Sequence, residues 1–181
     1  MTVLRTMRLL LRPWRDEDVA AFAAMSADPR VMAHYPKLLS ASEAEGFAVR
    51  VRSAMAMQGF GLWAVEAPGV APFVGYVGLA RPGWEAHFTP CVEVGWRLGF
   101  EFWGRSFAFE AASAVVQFGF ERAGLAEIVS FTTPENERSW RLMERLGMRR
   151  SAADDFDHPR LPPGHRLRRH VLYRLRRVYF P

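Results

Sequence analysis

Segments with helical and with strand-like hydrophobic spacing alternate along this chain, and their order predicts a mixed α/β protein. Two further observations bear on that reading. Half of the 181 residues are hydrophobic and 13% are aromatic, which suits a domain with a sizeable core and rules out a disordered chain. Residues 91–112, CVEVGWRLGFEFWGRSFAFEAA, read as a strand, a short loop and the first turns of a long helix, with Gly104 at the junction. A helix that begins at the carboxyl end of a strand points unpaired N–H groups and a positive dipole end at what lies ahead of it. That is an anion site, and its usual anion is a phosphate.

The elements follow in order. Residues 8–14, RLLLRPW, form a first strand stopped near Pro13. Residues 16–25 have a charged start and an alanine-rich apolar face, a short helix that ends before Asp28-Pro29. Ser42 followed by Glu45 resembles a capping box, which opens a second helix over 44–57. Gly59 and Gly61 lead into a strand over 62–66, Pro68-Gly69 turns the chain, and 73–79 returns as the hairpin partner. Residues 92–98 are the next strand. The long helix covers about 104–122, with Phe107, Ala111, Ala114, Val115 and Phe118 at helical spacing. Gly124 closes it, a strand follows over 128–132, and a helix over 136–146 ends at Gly147. Residues 151–166 are polar and read as a loop with at most one helical turn, before a last alternating strand over 169–176. No repeat, low-complexity segment or linker divides the chain, so one domain over 1–181 is expected.

Composition narrows the function classes. No apolar run is long enough to span a bilayer, and the N-terminus lacks the apolar region and cleavage site of a secretory signal, so a cytoplasmic location is expected. Cys91 is the only cysteine, which excludes a disulfide framework, and it reads as a small buried residue rather than a reactive thiol. The five histidines show no paired ligand spacing, so no metal is expected. The net charge is +5, with Lys37 the single lysine among 24 lysines and arginines. Arginines crowd residues 166–177, as a solvated edge strand or a polyanion contact would require. Nothing resembles a nucleic-acid motif, so charge alone does not argue for RNA or DNA.

Three groups of residues are able to carry chemistry. Alternation in the strand 92–98 puts Glu93, Gly95 and Arg97 on one face, with Glu93 either a salt-bridged carboxylate or a partly buried general base with a raised pKa. Gly95 marks a bulge or a close backbone approach that would splay the strand. In residues 134–147, PENERSWRLMERLG, Ser139 stands in register with Leu142, Met143 and Leu146. It is a small core residue bonded back to a carbonyl, or a hydroxyl presented to a ligand. Asn136 suits the N-cap of that helix. Asp154, Asp155, Asp157 and His158 form either a solvated loop or an acidic rim that attracts a cationic amine.

RLLLRPWRDEDVAAF, VEVGWRL, FWGRSFAFEAA, PENERS and LMERLGM, in this order, resemble the GNAT superfamily of acetyl-CoA-dependent N-acetyltransferases, within it the RimJ/RimL-type branch, over about residues 7–177. The resemblance implies a central, splayed, mostly antiparallel mixed sheet of about seven strands flanked by helices. It implies a pantetheine arm lying in the splay against Trp96, Arg97 and Leu98, chiefly by backbone. The pyrophosphate would sit on Trp103, Gly104, Arg105, Ser106, Phe107 and Ala108, and Asn136 would contact the cofactor arm. Ser139 would serve as general acid for the departing thiolate and Glu93 as base for the attacking amine. The acceptor would be a protein N-terminal amine or a small-molecule amine, attacked directly, and a homodimer is implied by family analogy. The acceptor walls would come from residues 31–47, 84–87 and 154–165. One feature departs from the family: Ser106 stands where its loop carries glycine, which weakens cofactor binding on this reading. Two rival readings remain open, a GNAT fold that senses acyl-CoA without turnover and an RNA- or ribosome-associated protein.

Overall fold

A computed structural model describes residues 2–180. Nine strands and four α-helices are formed: β1 (Leu4–Arg5), β2 (Leu10–Arg12), α1 (Asp18–Ser26), α2 (Ala41–Gln58), β3 (Leu62–Ala67), β4 (Ala71–Ala80), β5 (Glu93–Leu98), α3 (Phe107–Glu121), β6 (Glu127–Thr132), α4 (Glu137–Arg145), β7 (Arg149–Arg150), β8 (Phe156–Asp157) and β9 (Arg169–Arg176). They lie in the order β1-β2-β3-β4-β5-β6-β9-β7, with β8 also paired to β9. All neighbours run antiparallel except β5 and β6. The mixed α/β class is as expected, but the strands number nine rather than about seven. The additions, β1, β7 and β8, are two residues long, too short for alternation to reveal.

Each face of the sheet carries its own core. On one, α1 and α2 pack Phe22, Met25, Ala44, Ala48 and Val51 against Trp14, Ala64, Phe73 and Tyr76. On the other, α3 buries Phe107, Ala111, Val115 and Phe118 against Trp63, Val77, Leu79, Val94 and Ile128. A third, smaller cluster joins Phe88, Val129, Phe156 and Leu172, with Trp84 and Phe131 against it.

The second helix starts earlier than the sequence suggests. Its cap is Ser40, whose side chain accepts from Glu43 N while the Glu43 carboxylate accepts from Ser40 N at 2.8 Å. Ser42 and Glu45 have the same spacing but lie inside the helix. Ala44, Ala48, Val51 and Met55 form the buried face of the helix.

Arg12 and Asp18 lock β2 to α1. Both are buried, and the guanidinium donates from Nη1 and Nη2 to the two carboxylate oxygens at 2.7 and 2.9 Å. The remaining donors reach Glu66 at 2.7 Å, Pro72 O at 2.7 Å and Pro13 O at 3.2 Å. Asp18 also accepts from Arg15 N at 2.7 Å, so this ion pair has its hydrogen-bonding capacity filled.

Candidate active site

The sheet opens between β5 and β6. These strands pair at a single position, Glu93 opposite Val129. Val129 N donates to Val92 O and the Ser130 hydroxyl to Val94 O, both at 2.9 Å, so the even-numbered residues of β5 turn their backbone toward β6. By the same alternation the N–H and C=O of Trp96 face the widening gap with no strand opposite. Leu98 O, one step further, accepts from Trp103 Nε1 at 2.9 Å. Of the two readings of Gly95, a bulge or a close backbone approach, the bulge is not formed: the β4–β5 register runs unbroken from Gly75 opposite Leu98 to Ala80 opposite Glu93. The departure of β6 makes the gap.

The loop after β5 leads into α3. Glu110 N donates to Ser106 O, the first bond of the helix, which leaves the amides of Phe107, Ala108 and Phe109 without helical partners. Ser106 has φ 61° and ψ 11°, the left-handed region, and its side chain does not cap the helix. It is the one non-glycine residue at positive φ among the described residues, and Gly104 two positions earlier has φ +73°. The left-handed backbone that suits glycine is therefore present at Ser106, held by a residue with a Cβ. Trp103 is bracketed by Phe100, with ring centroids 5.1 Å apart, and by the Arg138 guanidinium at 5.1 Å. Arg105 is exposed, and Phe107 is buried with the Arg8 guanidinium 4.9 Å from its ring.

Glu93 lies on the opposite face of β5 from Val94, partly buried and without a hydrogen bond or ion pair among the described residues. Burial pushes its carboxyl up to about 7, with no nearby cation to offset it. Ser139 is half-buried on the side of α4 that carries Leu142 and Met143. Its hydroxyl is not bonded back to a carbonyl among the described residues, as that of Ser113 is to Phe109 O. Asn136 precedes α4 but does not cap it with its side chain; Nδ2 donates instead to Thr132 Oγ1 at 2.9 Å, back toward the end of β6.

Beyond Glu93 on the same face, Arg97 lies among Tyr35, Tyr76 and Phe22, from the segments over and beside it. The loop between α1 and α2 crosses toward the end of β6, where His34 Nδ1 is 3.3 Å from Thr133 Oγ1. Opposite, Trp84 stacks on Phe156 at 5.7 Å and lies 4.8 Å from His158. Burial lowers His34 and His170, and takes His158 down to about 4, so these imidazoles are neutral near pH 7. Of these groups, Tyr35 and Tyr76 carried no sequence signal beyond lying in an expected wall segment or strand.

The acidic loop is not a free rim. Asp154 pairs with Arg174, Asp155 with Arg150, and Asp157 with Arg168 and Arg169, and these cations hold all three carboxyls below their usual range. The same pairs occupy much of the C-terminal arginine cluster, with Arg174 and Arg176 also on Glu127. Cys91 is half-buried, and burial raises its thiol to about 11, which leaves it a neutral packing residue. A cleft of about 550 Å³ between β1, α3 and the end of α4, lined by Arg5, Gln117 and Arg145, contains none of these groups. No cluster of three metal-ligating side chains occurs among the described residues, and no helix there is long and apolar enough to cross a membrane.

A sheet opened beside a helix whose first amides are free is the arrangement that the resemblance to the acetyl-CoA-dependent N-acetyltransferases implies, and the comparisons supply the class. The model of the acetyltransferase (GNAT) domain matches residues 8–149, and the chain belongs to that family. It is 32% identical over 170 residues to the FsC-acetyl coenzyme A-N(2)-transacetylase of Aspergillus fumigatus, covering 89% of this chain and 71% of that protein. The crystal structure of a GNAT-family acetyltransferase from Bacillus anthracis superposes with a TM-score of 0.79 at 24% identity, covering 97% and 98% of the two chains. Mycobacterium smegmatis RimJ in complex with CoA-disulfide superposes with a TM-score of 0.77 at 18% identity, covering 99% and 88%. These two likenesses establish the fold. The protein is an acyltransferase of a family that uses acetyl-CoA.

Proposed function

We propose that this chain, as one domain of the RimJ/RimL-type branch, moves an acetyl group from acetyl-CoA to a primary amine by direct attack. The observation that carries this reading is the gap beside Trp96, on a strand that also carries an unpaired carboxylate, Glu93. Acetyl-CoA supplies an acetyl thioester to the amine. The backbone of Trp96 and Leu98, with Arg97 between them, would hold the pantetheine arm as an added strand. The loop from Trp103 through Gly104, Arg105 and Ser106 to Phe107 and Ala108 would hold the pyrophosphate, with Asn136 steadying the arm.

An ammonium must lose a proton before it attacks, and a carboxylate titrating near 7 is matched to take it near neutral pH. The Trp96 N–H is a donor for the oxyanion, and Ser139 would protonate the departing thiolate. Cys91 has neither a lowered pKa nor a partner base, which favours direct transfer over an acyl-cysteine intermediate. A homodimer goes with this reading on family analogy, and a cytoplasmic location is proposed with it.

The test follows release of free CoA thiol with a panel of peptide and small-molecule amines, with the product identified by its added acetyl mass. Thiol release matched by acetylated amine is expected. CoA binding without turnover on any amine would favour the non-catalytic acyl-CoA sensor, a reading that the strained Ser106 keeps in play.

Ser106→Gly tests the loop itself. Relief of left-handed strain, about 1–2 kcal/mol, is partly offset by the greater freedom of glycine in the unfolded chain. The variant should therefore melt a degree or two higher. It should also bind CoA several-fold more tightly by calorimetry, because the Cβ no longer crowds the anion. Weaker binding by the variant would mean that the serine side chain contributes to the site.

A further inference from the structure

Among the described residues two arginines are strongly buried, and their surroundings differ. Arg12 has every donor partnered and two carboxylates against it. Arg97 is 8% exposed, and no carboxylate pairs with it among the described residues. Its Nη1 reaches Ser26 Oγ at a long 3.4 Å, and its buried Nε has no partner. Tyr35 lies 3.8 Å from the guanidinium, ring centre to carbon, with Tyr76 at 5.5 Å and Phe22 at 5.8 Å. Aromatic faces steady a cation but do not neutralise it, and a buried charge without a counter-ion is costly.

The surroundings show where a counter-ion would come from. Glu93, Gly95 and Arg97 share one face of β5, about 13 Å from first to last at about 3.3 Å per residue. Between the two charged residues the floor is open: a Cβ placed on Gly95 would meet nothing within 4 Å. This trough therefore has an unpaired carboxylate at one end, a guanidinium held by the Ser26 and Tyr35 hydroxyls but by no carboxylate at the other, and open space over Gly95 between them. Asp154, Asp155 and Asp157 are paired to arginines, and Glu135, near His34, is an exposed acid rather than a partner of Arg97. At the rim, Arg166 donates to Ala33 O at 3.1 Å and has no carboxylate partner among the described residues. The buried guanidinium, with no carboxylate of this chain against it, suits an acceptor that brings its own anion.

We infer that the acceptor is an amine that also carries a carboxylate, with the carboxylate received by the Arg97 guanidinium while the ammonium is directed toward Glu93. This rests on the acetyltransferase reading above and deepens it by naming the substrate class. Arg97 then has two separate roles: its backbone runs along the gap, and its side chain selects the acceptor on the other face of the strand. The planar guanidinium offers the two-pronged donor geometry that a carboxylate accepts, and the Tyr35 and Tyr76 rings hold it in place before the acceptor arrives. A free amino acid and a short peptide with an acidic group share this chemistry.

The experiment compares matched pairs of acceptors, each a carboxylate and its amide, in an amino-acid series and a short-peptide series. The parent enzyme should show a kcat/KM at least about tenfold higher for the carboxylate form, mainly through KM. In Arg97→Gln that ratio should fall toward one, and in Arg97→Lys, which keeps the charge but loses the fork, it should take an intermediate value. The ratio is taken within one preparation, so partial loss of folded enzyme cancels; the parent alone suffices if a variant does not fold. The series with the larger ratio identifies the source of the anion. A parent that acetylates amides as well as acids overturns the inference, as does an unchanged ratio in a folded Arg97→Gln. Failure to acetylate any amine overturns the acetyltransferase reading itself, and this one with it.

Discussion

Asp18→Ala should lose about 3–5 kcal/mol of unfolding free energy, the range for removing one partner of a buried ion pair. For a chain of this size that corresponds to a fall in melting temperature of roughly 10 °C. The cause lies in what stays behind. Arg12 is 4% exposed and would keep its charge, with only Glu66 and two carbonyls to receive it, and Arg15 N would lose its acceptor. The effect would reach the site, because α1 carries Phe22 and Ser26, which touch Arg97. Denaturant unfolding of parent and variant measures the loss. A double variant, Arg12→Met with Asp18→Leu, should recover much of it, because two apolar groups leave no charge unpaired. A loss below about 1 kcal/mol in Asp18→Ala would show that water replaces the carboxylate, and that the lock is not a major support of α1.

That lock shows where sequence reading stops. Arg12 and Asp18 each looked ordinary, one on a short strand, the other in a charged helix start, and only the fold brings them together. Long elements were legible because burial imposes a period on them: β9 occupies the residues expected, and α3 buries Phe107, Ala111, Val115 and Phe118. Two-residue strands have no period, so β1, β7 and β8 were missed. The helix cap slipped because Ser40/Glu43 and Ser42/Glu45 satisfy the same spacing rule, and spacing alone does not choose between them.

The site was legible to a similar depth. The strand-to-helix junction announced an anion site by local geometry alone, and the free amides at the start of α3 follow from it. The gap between β5 and β6 was implied by the resemblance; of the two readings of Gly95, a bulge or a close backbone approach, the bulge is not formed, and β6 turns away instead. The acidic loop could be read as a solvated loop or a rim because a run of aspartates says nothing of the arginines that meet it, and Arg150, Arg168, Arg169 and Arg174 come from separate positions to do so. The isolation of Arg97 was invisible for the converse reason. Lack of a counter-ion is a property of everything packed around a residue, and no spacing encodes it.

Glu93→Gln should make the protein slower and more stable at once, with both effects growing with pH. The carboxyl titrates near 7 in the folded protein against an ordinary value of 4.5. Between those values the folded state keeps a proton that the unfolded state has released, so the parent loses stability as pH rises through that window and levels off above about 7. Glutamine carries no such proton. The variant should therefore match the parent near pH 4 and exceed it by on the order of 2 kcal/mol at pH 8, the shift being discounted for solvent that reaches one side of the group. Turnover should move the opposite way. In the parent, kcat should rise with pH until Glu93 is ionised; in the variant that limb should vanish, with kcat about 100-fold lower at pH 8, the lower end of what a positioned base contributes. Melting curves and rate profiles from pH 5 to 9 on the same two proteins read both effects. A stability gap that does not change with pH would mean that the folded carboxyl ionises normally. An unaltered rate profile beside a pH-dependent gap would leave Glu93 buried but idle, and would assign proton removal to water. The two measurements separate because stability reports the cost of ionising Glu93 in place, whereas the rate reports whether the ionised group receives a proton during the reaction.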